Sequence, residues 1–133
     1  MKNKIDHIAI KVSDLTEVSQ ALEQVGLFCK SIEQHDEVGM KIAFLGLSEE
    51  KTTIELLEVV DPSSPIVNEP TGLHHVGIRV ENIEKIYDKM KKGDRYKLEG
   101  EIRQGAHSRI FFFRINGHEE ILFECVSEQS IKC

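Results

Sequence analysis

Two histidines and two glutamates stand out for their type and spacing. His7 precedes Glu55 by 48 positions, and His75 precedes Glu124 by 49. Neutral imidazoles and carboxylates together are donors for a borderline or hard divalent ion such as Zn, Ni, Co or Mn. A buried glutamate is costly unless it is paired or metal-bound, and two facing each other repel. One divalent metal ion shared by His7, Glu55, His75 and Glu124 would neutralise both, and in an octahedral site would leave two positions for water or substrate. The same residues on a solvated strand face would carry no chemistry. What weighs against that is their recurrence inside a repeat.

The repeat has an offset of 68 residues. Ile5-Asp6-His7-Ile8-Ala9-Ile10-Lys11-Val12 lies over Leu73-His74-His75-Val76-Gly77-Ile78-Arg79-Val80, and only the Asp6/His74 column breaks the likeness. At the same offset Lys41-Ile42-Ala43-Phe44-Leu45-Gly46-Leu47 lies over Arg109-Ile110-Phe111-Phe112-Phe113-Arg114-Ile115. One inserted residue later, Ile54-Glu55 lies over Phe123-Glu124. Three matching blocks in the same order point to one module written twice.

The elements that must position these residues follow from periodicity. Residues 4–12, rich in β-branched side chains, predict a strand. Asp14 is an N-cap with Glu17 three residues on, Leu15, Val18, Leu22 and Val25 mark one helical face, and Gly26 ends the helix. Residues 28–34, 40–47 and 52–60 predict three strands. In the second half Asn82 caps a helix with the face Ile83, Ile86, Tyr87 and Met90, closed by Gly93. Strands are expected at 96–102, 109–115 and 120–126. Side chains alternate along a strand. His7 therefore sides with Ala9 and Lys11, opposite the apolar set Ile8, Ile10 and Val12 that should meet the helix. His75 sides with Gly77 and Arg79, and Glu55 with Thr53 and Leu57. The expected fold is α+β: two tandem βαβββ modules forming a cupped, barrel-like mixed sheet around one metal site. Residues 1–133 read as a single domain, with modules at 1–60 and 73–133 and a turn-rich linker at 61–72. A pseudo-twofold axis between the modules would bring the two His/Glu pairs together.

The net charge of −6 and the lack of a basic cluster argue against a nucleic-acid partner. No apolar run approaches the ~20 residues that span a bilayer, so no membrane partner is expected. The first residues carry no apolar stretch that would make a signal peptide, and the expected location is cytoplasmic. Cys29, Cys125 and Cys133 form no metal-knuckle spacing and read as packing residues or a frayed terminus. Lys11 and Arg79, repeat-equivalent, read as solvated strand ends or as cations that draw an anionic substrate. His74 reads as structural, and His35, His107 and His118 as loop residues without a role.

On Asp6-His7-Ile8-Ala9-Ile10, Ile54-Glu55-Leu56-Leu57-Glu58, Gly72-Leu73-His74-His75-Val76-Gly77-Ile78 and Leu122-Phe123-Glu124, the chain resembles the vicinal oxygen chelate superfamily (glyoxalase, bleomycin resistance and dioxygenase proteins) across nearly its whole length. The resemblance implies two βαβββ modules around one metal and chemistry that stabilises an enolate or a related anion. Within it, Glu37-Val38-Gly39-Met40-Lys41-Ile42-Ala43-Phe44-Leu45, Asp61-Pro62, Ser64-Pro65-Ile66 and Gly105-Ala106-His107 look like the methylmalonyl-CoA epimerase family. That likeness implies 1,1-proton transfer by two catalytic glutamates, Glu37 and the ligand Glu124, an acyl-CoA substrate and a homodimer. Glu37 breaks the repeat, since Gly105 is its counterpart, as a single asymmetric site would require. The alternatives are lactoylglutathione lyase (glyoxalase I), which shares the ligand set and takes a glutathione hemithioacetal or thioester, and a non-catalytic small-molecule-binding module.

Overall fold

The computed structural model describes residues 3–47 and 53–128. In chain order they form β1 (Lys4–Lys11), α1 (Leu15–Glu23), β2 (Phe28–His35), a single 3-10 turn (Asp36–Val38), β3 (Met40–Gly46), β4 (Ile54–Val59), β5 (Gly72–Val80), α2 (Ile83–Lys91), β6 (Tyr96–Gln104), β7 (Arg109–Ile115) and β8 (His118–Ser127). The βαβββ order thus occurs twice. The expected start of the fourth strand at Thr52 lies outside the described residues, as does Cys133.

Local signals explain the helix ends. The Asp14 carboxylate accepts from the Glu17 N–H at 3.1 Å, and the Asn82 side chain accepts from the Lys85 N–H at 3.0 Å. Helix α1 stops at Glu23, and the Leu27 N–H reaches back to the Leu22 carbonyl. That closure needs the left-handed backbone that Gly26 supplies (φ 93°). Glu58, from β4, adds a cap that spacing alone does not reveal: its Oε1 accepts from the Leu15 N–H at 2.9 Å.

The chain divides into two compact units, His7–His74 and Met1–Asp6 with His75–Cys133. In the first, the strand order is β2-β3-β4-β1, antiparallel except for the parallel β4/β1 pair. In the second it is β5-β8-β7-β6, antiparallel except for the parallel β5/β8 pair. Neither four-stranded sheet closes on itself as a barrel, because β2 and β6 stand at the ends of the strand order. On one face of the first sheet Ile10, Leu45 and Leu56 pack with Leu15, Val18 and Leu22 of α1. On the second, Val80, Phe111, Phe113 and Cys125 pack with Ile83 of α2. Each fully buried leucine or phenylalanine contributes about 1.5–3 kcal/mol by leaving water, and this fixes which face of each strand turns away from the helix.

The other face of the first sheet carries Ala9, Phe44 and Leu57, and the segment after β4 covers it with Ile66. Lys11 holds that cover. It is 8% exposed, and its Nζ donates to the carbonyls of Ile66 (2.8 Å), Val67 (3.2 Å) and Glu69. Neither reading made of Lys11 from the sequence holds, because alternation turns it inward beneath the linker. Its counterpart Arg79 is also engaged, with Nε 2.8 Å from Asp6 Oδ1. Two of the three histidines assigned to loops are in strands: His35 ends β2 and His118 begins β8. Replacing Lys11 by methionine leaves three acceptors without their donor, and a loss of ~2–3 kcal/mol is expected. Urea unfolding measures it, and amide exchange should rise first at residues 66–69.

Candidate metal centre

Each unit builds one half of the proposed ligand set, and builds it the same way. In the first, β1 and β4 run parallel with Ala9 opposite Glu55, so His7 sits two residues before the partner of Glu55. In the second, β5 and β8 run parallel with Gly77 opposite Glu124, which gives His75 the same diagonal relation to Glu124. The small side chains of Ala9 and Gly77 leave the diagonal open. His7 Nδ1 lies 3.5 Å from Glu55 Oε2, and His75 Nε2 lies 3.3 Å from Glu124 Oε1. His7, His75 and Glu124 are buried, while Glu55 is partly open.

Two donors in adjacent positions on an ion with bonds of about 2.1 Å are separated by roughly 3.0–3.4 Å, from octahedral to tetrahedral angles. Both observed separations fall within a tenth or so of that range, and each pair offers one nitrogen and one oxygen. The residues therefore fit a divalent cation. The His75 ring is also held edge-on by Phe112 (centroids 5.2 Å apart, 85° between planes), which stands opposite Glu124 on β7.

Glu37 occupies the 3-10 turn between β2 and β3, with a side chain 72% exposed. Its partner is His35, whose Nδ1 is 3.2 Å from Glu37 Oε1 and whose Nε2 is 2.9 Å from Glu33 Oε1. Spacing alone assigns no role to His35. A pattern of Glu, His and Glu at alternate positions could have flagged it. The turn is docked through Gly39, which has φ 62°, and whose carbonyl accepts from the N–H groups of Val60 and Asp61. A Cβ at Gly39 would come within 2.9 Å of Asp61 Cβ.

The remaining candidates separate cleanly from this chemistry. His74 pairs with Glu69 at 2.9 Å. Burial, with the Glu124 carboxylate beside it, pushes the Cys125 thiol up to about 12, so it is a packing residue and not a nucleophile. Cys29 is half-buried and lies against the Ser31 carbonyl.

The sequence profile of the glyoxalase/bleomycin resistance protein/dioxygenase superfamily matches residues 2–113. The chain belongs to this superfamily. Among its superfamily relatives is the mitochondrial methylmalonyl-CoA epimerase of Mus musculus, 31% identical over 116 residues that cover 83% of the chain and 64% of the mouse protein. The chain thus spans just under two thirds of the length of that relative. The ethylmalonyl-CoA/methylmalonyl-CoA epimerase of Cereibacter sphaeroides is 31% identical over 120 residues, covering 85% of the chain and 88% of its own length. Among solved structures, a hypothetical protein from Bacillus halodurans C-125 superposes with a TM-score of 0.84 at 28% identity, over 100% of this chain and 99% of that one. These relatives agree with the α+β superfamily fold described above. No helix among the described residues is long and apolar enough to cross a membrane.

Gly39→Ala and Gly26→Ala separate strain from collision. Both positions have positive φ, but a Cβ at Gly26 meets open space. The first is expected to cost ~2–3 kcal/mol and the second ~1 kcal/mol in urea unfolding. Equal losses would mean that Asp61 does not press on the Glu37 turn.

Proposed function

We propose that this chain is a metal-dependent epimerase that inverts the α-carbon of methylmalonyl-CoA, with His7, Glu55, His75 and Glu124 as ligands of one divalent ion. The observation that carries the reading is the pair of His/Glu diagonals in equal register, 3.5 and 3.3 Å across, joined to a glutamate at position 37 that only one half possesses. Relatives at about 30% identity that bear the epimerase name support it. A divalent ion held by these donors supplies stabilisation of the negative charge that develops when an acidic C–H next to a thioester ionises.

The protein's own groups then have distinct tasks. Inversion requires a base on one face of the carbon and an acid on the other. The Glu37 carboxylate takes the α-proton at an Oε atom, and Glu124 returns one from the opposite side; the reverse reaction exchanges these roles. His35 holds Glu37 in place, and Phe112 fixes the plane of His75. The homodimer and the cytoplasmic location belong to the same proposal and are settled by the mass in solution and by fractionation.

Two measurements test it. Deuterium uptake into methylmalonyl-CoA in D2O is expected in the wild type and should fall by ~10²–10⁴ in Glu37→Gln. No uptake together with turnover of the methylglyoxal–glutathione adduct would replace the epimerase with a glyoxalase. Elemental analysis of protein purified without added metal should show close to one divalent ion per chain, lost in Glu124→Ala. Equal content in both proteins would remove Glu124 from the ligand set.

A further inference from the structure

Strand β6 is interrupted where a strand on the margin of the sheet has most freedom. Its register against β7 shifts between Glu99 and Arg103, and Gly100 takes φ 88° there. Such bulges turn a side chain out of its regular direction. Here the redirected side chain is Arg103. Its Nη1 donates to the carbonyls of Glu99 (3.3 Å) and Glu101 (3.0 Å), both within the bulge. Its guanidinium carbon lies 5.2 Å from the centroid of the Phe112 ring. A Cβ at Gly100 would stand 3.2 Å from Arg103 Nη1, so glycine makes the space for this hold.

Phe112 is on the face of the sheet away from α2, because its neighbours Phe111 and Phe113 are in the helix-side core. Its ring meets the His75 imidazole at 5.2 Å. A single aromatic ring therefore separates a fixed guanidinium from a proposed metal ligand. Among the described residues, Arg103 makes its polar contacts with the two carbonyls alone. Of the two glutamates in the bulge, Glu101 receives Arg103 through its backbone carbonyl, and the Glu99 carboxylate is taken by Arg114 Nε at 2.7 Å. Arg79 and Arg109, by contrast, have carboxylate partners in Asp6 and Glu84. A cation held by backbone carbonyls and an aromatic face keeps its remaining N–H groups available, and the planar fork of arginine suits a carboxylate or a phosphate.

We propose that Arg103 is a substrate-binding residue that receives an anionic oxygen group of the acyl-CoA, either its carboxylate or a CoA phosphate. The proposal rests on the epimerase reading for the identity of the substrate, but its test does not need turnover. Calorimetry on the metal-loaded protein measures the affinity of malonate, which carries carboxylates without phosphate, and of free CoA, which carries phosphates without a carboxylate. Arg103→Gln is expected to weaken at least one of them tenfold or more, and Arg103→Lys by about threefold, since lysine keeps the charge and loses the planar fork. Loss for malonate alone assigns the carboxylate, and loss for CoA alone assigns a phosphate. Affinities within twofold of wild type for both anions, in the glutamine variant or in the lysine variant if the former does not fold, overturn the proposal. So does a wild type that binds neither. A wild type that binds CoA and weakens in Arg103→Gln, yet never exchanges the α-proton, overturns the epimerase reading and leaves the role of Arg103 standing.

Discussion

A carboxylate buried beside an imidazole is the constraint on which the rest of this molecule is organised. Glu124 is 6% exposed and His75 6% exposed, with their donor atoms 3.3 Å apart. Removing a carboxylate from water costs several kcal/mol unless positive charge and hydrogen bonds offset it. The fold meets that demand with strand register. In each unit a parallel pair of strands sets a histidine diagonally before a glutamate, with a residue no larger than alanine at the position directly opposite the carboxylate. The same solution in both halves fits the duplicated sequence. It also explains why the chemistry-bearing residues alternate with the residues that bury against α1 and α2.

The two halves differ in the groups they carry outside the shared strand plan. The first has the turn with Glu37, docked by Gly39 on the start of the linker, and the linker in turn is fastened by Lys11 from beneath. A lysine with three carbonyl partners at 8% exposure is a structural anchor, and it ties the placement of the Glu37 turn to the strand that bears His7. The second half has glycine at the position equivalent to Glu37 and a bulged β6 that presents Arg103. The two units thus share a strand plan and carry unlike groups on it, as the proposed inversion of one carbon would need.

Much of this was legible in the chain. The repeat gave the order of elements, alternation gave the faces of β1 and β5, and Asp14, Gly26 and Asn82 marked the helix ends through local chemistry. What was not legible depended on partners far along the chain or on changes of register. Lys11 looked like a solvated strand end because nothing nearby in sequence reveals three carbonyls some 55 positions away. The cap that Glu58 places on Leu15 is hidden for the same reason. The place of His35 in a strand is hidden because β2 extends one residue further than its apolar pattern. The bulge in β6 did leave a trace, since a glycine inside a strand pattern signals one, but the direction in which it turns Arg103 emerges only from the register.

The claim that two His/Glu diagonals hold one ion is tested most directly by anomalous scattering from crystals of the protein purified with its native metal. A single peak enclosed by His7 and Glu55 together with His75 and Glu124, each donor about 2.1 Å away, is the expected result. A peak at one pair alone, or bound metal anywhere else on the chain with the four side chains apart, would contradict it.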